Sequence, residues 1–239
     1  MLKKIVNISK IYSWDINLNS ISIKLNQDIL IKDDKISKIG SNIPDQVDKT
    51  IDAENCIATP GLIDSHTHPI FIGNRANEFI MRLNGKTYNE IKNLGGGILS
   101  SIDNVRKSSF EELYIASMGN IKPFISGGTT TLEAKSGYGL TLNDELKSLR
   151  VIKKINDELD IEIISTFLGA HAIPKECSVE KYVDIICNDM IPRISEEKLA
   201  VFCDVFCEDG YFDIKQSKRI LNTAKTFGLI PRIHADEFK

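Results

Sequence analysis

The chain has 239 residues, of which 42% are hydrophobic and 26% charged, with 33 acidic residues against 30 lysines and arginines. The net charge of -3 excludes a basic surface for nucleic acid or a cationic face for membranes, and no run approaches the ~20 apolar residues of a membrane helix. Five cysteines, at positions 56, 177, 187, 203 and 207, form no C-x-x-C pair and indicate reduced thiols. The composition predicts a soluble cytoplasmic globular protein.

Residues 1–59 contain short β-like runs and no extended helical periodicity. Two of these runs, 28–32 and 35–40, flank Asp33 and Asp34, a spacing that is typical of a β-hairpin. The pattern predicts a small β domain of the composite or sandwich type over residues 1–59.

From residue 60 to residue 239 the pattern alternates between strands and helices. A capping box at Ser109 and Glu112 begins one helix, apolar residues at helical spacing follow Leu142, and a helix over 213–227 ends at Gly228. The predicted strands are 61–66, 129–134, 162–168, 199–206 and 229–234. This alternation predicts a parallel sheet covered by helices. A closed barrel needs eight such steps and ~250 residues, so the sequence predicts either an open five-stranded sheet or a barrel cut short after strand five.

All four histidines lie at or just beyond the carboxyl end of a predicted strand: His66, His68, His171 and His234. In a parallel barrel, this is the face that carries active sites. Because side chains alternate along a strand, His66 and His68 point to the same side, and two converging imidazoles suit zinc or ferrous iron. The alternative is a pair of buried, hydrogen-bonded histidines; the position of the pair after an apolar strand favours the metal site.

The segment from Ala58 to His68 resembles the first-strand signature of the amidohydrolase superfamily, and the hairpin with Ile51-Asp52-Ala53 resembles its N-terminal β domain. Four later motifs narrow the resemblance to the imidazolonepropionase family, and together they cover essentially the whole chain. These are Gly95-Gly96-Gly97-Ile98-Leu99-Ser100, Glu133-Ala134-Lys135-Ser136-Gly137-Tyr138-Gly139, Gly169-Ala170-His171-Ala172-Ile173-Pro174 and His234-Ala235-Asp236-Glu237. The resemblance implies an α/β fold, an incomplete TIM-like (β/α) barrel of the amidohydrolase type.

The family implies hydrolysis of the ring C–N bond of 4-imidazolone-5-propanoate to N-formimidoyl-L-glutamate, a step of histidine degradation. By the family's motifs, one zinc or iron ion is held by His66, His68 and His234. The fourth strand lacks the lysine that bridges two metals in binuclear amidohydrolases, which agrees with one ion. The family also implies a small-molecule substrate and a homodimer.

Four further residues match the family's substrate site. Arg75 matches its carboxylate-binding arginine, Tyr138 the tyrosine of a glycine-rich turn, and His171 a substrate-contacting histidine; Glu237 matches a glutamate that contacts the ring. We expect His171 and Glu237 to be catalytic, with Glu237 holding a ring N–H or moving a proton. If the family resemblance is set aside, Arg75 could equally well be a solvated surface arginine. In the same way, Tyr138 could be a packing residue and His171 a core residue.

Several other residues have structural interpretations. Asp64 is expected either to orient an imidazole or to form a structural hydrogen bond. Asp236 is a weaker candidate for the site and also fits a helix N-cap. Glu133 and Lys135 are predicted to form a buried pair near the site. Cys203 and Cys207 are predicted to be core residues. The glycine run 95–97 is followed by no G-K-[ST] sequence, which excludes a P-loop.

The family's later strands supply a metal-binding aspartate and further substrate contacts, so we expect this chain alone to be weakly active or inactive. One alternative is a non-catalytic, metal-binding fragment or pseudoenzyme that needs a complementing chain. Another is a different cyclic amidohydrolase or deaminase, which would keep the histidines but has no need for Arg75 together with Tyr138.

Overall fold

A computed structural model of the chain describes residues 1–41, 43, 46–87, 90–91, 94 and 96–237. The chain divides into two compact units, an N-terminal unit of Met1–Gly61 and a C-terminal unit of Leu62–Lys239. The sequence pattern predicts a domain boundary between residues 59 and 60, next to this division. Gly95, part of the glycine run in the sequence, lies outside the described residues.

The N-terminal unit consists of strands. They are β1 (Leu2–Val6), β2 (Lys10–Asp15), β3 (Ser20–Leu25), β4 (Asp28–Lys32), β5 (Lys35–Gly40), β6 (Lys49–Asp52) and β7 (Ile57–Ala58). One sheet has the order β5-β4-β1-β6 and the other the order β3-β2-β7. Strands β4 and β5 pair antiparallel, and Asp33 between them has a φ of 58°, so the predicted hairpin is confirmed. A small core of Ile8, Ile11 and Ile29 lies in this unit.

The C-terminal unit is built on a five-stranded parallel sheet. Its strands are β8 (Leu62–Asp64), β9 (Thr129–Lys135), β10 (Glu162–Ala170), β11 (Phe202–Val205) and β12 (Ile230–Pro231). Every neighbouring pair is parallel, in the order β12-β11-β10-β9-β8. The five predicted strands are therefore confirmed, and their sequential order is that of consecutive strands in a (β/α) barrel.

Helices connect and cover these strands. They are α1 (Ala76–Leu83), α2 (Ile98–Lys107), α3 (Phe110–Ser126), α4 (Leu142–Glu158), α5 (Val179–Ile185), α6 (Ile191–Glu196) and α7 (Ile214–Thr226), with a π-helical turn (Ile186–Met190) between α5 and α6. The predicted capping box of Ser109 and Glu112 begins α3, and Asp213 with Gln216 caps α7 in the same way. The short helices α1, α2, α5 and α6 are absent from the sequence predictions because each offers too few turns for a clear periodicity. No helix in the described ranges combines the length and apolar character needed to cross a membrane.

The core of the C-terminal unit joins the sheet to α4. Leu132, Phe167 and Val205 from three neighbouring strands are fully buried, together with Leu149 and Ile152 on α4. Cys203 is also fully buried, as predicted, and burial raises the pKa of its thiol far above the usual value. Cys207 is only half-buried and follows the end of β11 at Val205, so the prediction that it is a core residue is wrong.

Replacing Leu149 by alanine should destabilise the C-terminal unit by about 2–5 kcal/mol, because the substitution leaves a cavity between α4 and the sheet that the surrounding side chains fill only in part. Leu83 on α1 is 71% exposed and serves as the control, since Leu83→Ala removes the same atoms from solvent-exposed surface. The measurement is urea-induced unfolding followed by circular dichroism. Equal losses in the two variants would contradict the packing described here.

Candidate metal centre and substrate cavity

Three histidine side chains converge beyond the carboxyl ends of β8 and β12. The Nε2 atom of His66 lies 3.0 Å from Nε2 of His234 and 3.4 Å from Nε2 of His68. One nitrogen from each of the three rings lies within 4.8 Å of the others. Within the described ranges, no group forms a hydrogen bond with the buried Nδ1 atom of His68. The nitrogen that faces the other two rings is Nε2, and three imidazole nitrogens this close together fit ligation of one metal ion.

The segment that carries His66 and His68 is fixed to β9 through the residue between them. The Thr67 hydroxyl donates a hydrogen bond to the Glu133 carbonyl oxygen at 2.5 Å. The backbone N–H of Lys135 donates to the Thr67 carbonyl oxygen at 3.1 Å. Because Thr67 is held on both its side chain and its backbone, the two histidines are positioned by the neighbouring strand.

His234 is positioned by β11. Its backbone N–H donates to Val205 O at 2.9 Å, and its Nδ1 lies 2.9 Å from Oδ2 of Asp204. Burial alone would raise the pKa of Asp204, but hydrogen bonds from His234 and Lys135 keep that pKa below its usual value. A carboxylate on one imidazole nitrogen leaves the other nitrogen as the ligand, the arrangement common around bound metals. The donor set of three imidazoles therefore fits one zinc or iron ion.

Asp204 is absent from the sequence predictions, which offer Asp64 either as the group that orients an imidazole or as the acceptor of a structural hydrogen bond. The structure shows the structural bond: Oδ1 of Asp64 accepts the backbone N–H of His66 at 3.3 Å, because the side chain folds back over the turn that follows β8. The signal for Asp204 was present as a single acidic residue in the apolar run Phe202-Cys203-Asp204-Val205. Asp204 is 1% exposed, and a charge buried to this degree requires a partner.

His171 follows β10 and lies beside the three converging histidines. Its Nδ1 is 2.9 Å from the Gly137 carbonyl oxygen, and its ring centroid is 5.2 Å from that of His68. A carbonyl only accepts, so Nδ1 of His171 donates and Nε2 keeps its lone pair. Burial lowers the pKa of His171 to about 4 and that of His68 to about 3, so both rings are neutral at pH 7.

Tyr138 stands on a loop that a buried carboxylate holds in place. Glu145, in the first turn of α4, accepts backbone hydrogen bonds from Gly137 at 3.1 Å, Gly139 at 2.8 Å and Leu140 at 2.9 Å. Gly137 has a φ of +111°, and a Cβ there would lie 2.7 Å from Leu168 O, so only glycine fits. The Tyr138 ring lies 5.2 Å from that of His171, and burial raises the pKa of Tyr138, which keeps its hydroxyl protonated.

Arg75 immediately precedes α1 and is paired with Glu78. Its Nε and Nη2 atoms lie 2.7 Å and 2.6 Å from Oε2 of Glu78. The second carboxylate oxygen, Oε1, accepts the Gly97 backbone N–H at 2.8 Å. The guanidinium is therefore held by a carboxylate that also fixes the start of α2.

The predicted site residues line one cavity of about 800 Å³ in the C-terminal unit. Arg75, Tyr138, His171 and Glu237 share it with the three converging histidines. Glu237 is exposed, and its backbone N–H donates to Oε2 of Glu208 at 3.0 Å. The cavity is also lined by residues that the sequence pattern does not predict: Arg82, Ile98, Phe206, Asp209, Gly210 and Tyr211.

No protein-family model matches the sequence. An imidazolonepropionase from Brevibacillus brevis is 47% identical to it over 232 residues, which cover 93% of this chain and 55% of the relative. An imidazolonepropionase from Thermoanaerobacter pseudethanolicus is 48% identical over 212 residues, which cover 87% of this chain and 51% of that protein. The chain spans about half the length of the curated relatives it matches.

Solved structures with low sequence identity share the architecture. A 5-methylcytosine deaminase from Klebsiella pneumoniae has a TM-score of 0.66 and 13% identity, and the match covers 98% of this chain and 51% of that one. An adenosine deaminase from Xanthomonas campestris, solved with bound zinc, has a TM-score of 0.55 and 10% identity, with coverage of 98% and 48%. The chain therefore shares the fold of these solved deaminases, with a parallel strand–helix sheet that corresponds to part of a TIM-like barrel and an N-terminal β unit. By sequence, the chain is homologous to the imidazolonepropionases along nearly its whole length.

Replacing Glu145 by glutamine should loosen the Tyr138 loop, because the amide offers one acceptor oxygen where the carboxylate offers two. Each backbone N–H left unpaired costs about 1–3 kcal/mol. We expect faster hydrogen exchange at the amides of Gly137, Gly139 and Leu140. Glu158→Gln, at the exposed end of the same helix, is the control and should leave their exchange rates unchanged. Unaltered protection in Glu145→Gln would contradict the role of this carboxylate.

Proposed function

We propose that the protein is an imidazolonepropionase, which hydrolyses the ring C–N bond of 4-imidazolone-5-propanoate to N-formimidoyl-L-glutamate in histidine degradation. The observation that carries this proposal is a single cavity lined by both the three-histidine cluster and Arg75. The proposed substrate follows from the names of the relatives from two bacteria, because both are imidazolonepropionases.

His66, His68 and His234 would hold one metal ion in this reaction. A zinc or iron ion lowers the pKa of water from ~15.7 towards ~7, which makes hydroxide available at neutral pH. Binding of zinc is supported by the Xanthomonas campestris deaminase, which was solved with zinc. Binding of iron is supported by the three imidazole nitrogens, which suit iron as well as zinc.

The remaining site residues would bind the substrate and handle protons. The planar guanidinium of Arg75 binds the propanoate carboxylate through paired hydrogen bonds. Tyr138 offers a protonated hydroxyl and His171 a neutral ring with an accepting Nε2, which orient the imidazolone ring. The Glu237 carboxylate holds a ring N–H or transfers its proton as the ring opens.

We further propose that the protein works in the cytoplasm as a homodimer with this small molecule as its substrate. All five cysteines are free thiols, which supports a reducing compartment. The dimer is supported by the family resemblance alone.

His234→Ala should abolish tight zinc binding, because it removes one of three imidazole ligands. His171→Ala is the matched control: it removes the fourth histidine, which lies outside the converging set, and it should leave one zinc ion bound per chain. Zinc competition against a chromophoric chelator measures both. Equal zinc affinities in the two variants would overturn the ligand assignment.

Loss of 4-imidazolone-5-propanoate absorbance, measured with zinc or iron, tests the reaction itself. Turnover with bound metal would support the proposed activity. Metal binding without turnover would favour the alternative of a non-catalytic metal-binding chain. Absence of both metal and turnover would contradict the two proposals together.

Arg75→Ala should raise the KM for 4-imidazolone-5-propanoate about tenfold or more, since a hydrogen bond to a charged group contributes about 1.5–3 kcal/mol. Arg219→Ala, which removes a surface arginine paired with Asp184, is the control and should leave the KM unchanged. An unchanged KM in both Arg75→Ala and Tyr138→Phe would favour a different cyclic amidohydrolase or deaminase.

A further inference from the structure

A layer of buried charges lies beneath the histidine cluster. Glu133, Lys135 and Asp204 are 3%, 1% and 1% exposed, and they extend from the interior strands β9 and β11, which flank β10. The Lys135 ammonium lies 2.8 Å from Oε1 of Glu133 and 2.8 Å from Oδ2 of Asp204. A buried ion pair is a weak source of stability, because desolvation offsets its attraction. A layer of three buried charges beside the histidine cluster therefore calls for another role.

The two carboxylates of this layer have different neighbours. Oδ2 of Asp204 contacts Nδ1 of His234 at 2.9 Å as well as the lysine. Oε1 of Glu133 instead accepts hydrogen bonds from Arg232 at 2.8 Å and from the Thr166 hydroxyl. In the described part of the chain, Asp204 is thus the member of this layer that touches a histidine side chain.

The hydrogen-bond chemistry fixes the state of the His234 ring. An ammonium only donates, so Lys135 keeps Oδ2 of Asp204 as an acceptor and favours the ionised carboxylate. An ionised carboxylate only accepts, so Nδ1 of His234 must carry the ring proton. The lone pair is then on Nε2, the atom that lies 3.0 Å from Nε2 of His66.

We propose that Asp204, held by Lys135, is a positioning residue that fixes His234 with its proton on Nδ1 and the Nε2 lone pair directed at the metal position. This inference rests on the proposed metal site and is independent of the proposed substrate. Lys135 sets the position of Asp204, and Asp204 sets the tautomer and orientation of the ring.

The first measurement is made on the metal-free wild-type chain with ¹⁵N-labelled histidine. The nitrogen chemical shifts should show His234 protonated on Nδ1 and unprotonated on Nε2. In Asp204→Asn, the amide can also donate, so a mixture of the two tautomers is expected. A wild-type ring protonated on Nε2 would overturn the proposal whether or not the variant folds.

The second measurement compares zinc affinities by chelator competition. Asp204→Asn should weaken zinc binding about 10- to 100-fold, the usual effect of removing a carboxylate behind a histidine ligand. Glu133→Gln is the matched control, because it alters the other carboxylate of Lys135 without touching His234, and its affinity should stay within the same order of magnitude. Equal weakening in both variants, or none in Asp204→Asn, would contradict the positioning role.

These readouts separate the inference from the proposed function. Suppose that Asp204→Asn changes the tautomer and the zinc affinity as expected, but that the wild-type chain does not hydrolyse 4-imidazolone-5-propanoate. This result would support the positioning role and would count only against the proposed activity.

Discussion

The curvature of the parallel sheet is the constraint on which the site depends. His66 follows β8 and His234 follows β12, and these strands are at the two ends of the sheet among the described residues. Four strand spacings in a flat sheet would separate them by about 19 Å. Their Nε2 atoms are 3.0 Å apart, so the sheet curls until its two ends face each other across the cavity. The histidine cluster exists because the sheet has the curvature of a barrel.

The buried charges serve the same geometry. Thr67 fixes the first two histidines to β9, and Asp204 on β11 holds the third, so two interior strands determine where the imidazoles lie. Glu145 does the same for Tyr138 by accepting three backbone N–H groups. In each case a polar group in the core orients a side chain in the cavity.

The sequence predicts the five strands and the convergence of the histidines, because strand periodicity and the end of each strand are local properties. It did not predict Asp204 or Glu145. Both are acidic residues whose partners are distant in sequence or lie in a loop, so their roles depend on how the elements pack. The sequence leaves two roles open for Asp64 for the same reason: its place two residues before His66 does not determine which atom of His66 it contacts.

The pairing of Arg75 with Glu78 has a consequence for selectivity. The guanidinium that would bind a carboxylate already has one, at 2.6 Å, so an incoming anion has to replace an existing partner rather than fill an empty positive site. Such an exchange gives little net gain to chloride, phosphate or any ligand that offers charge alone. A ligand that also contacts other residues of the cavity gains binding energy that offsets the loss of the Arg75–Glu78 ion pair. Arg75 would therefore select such ligands over simple anions.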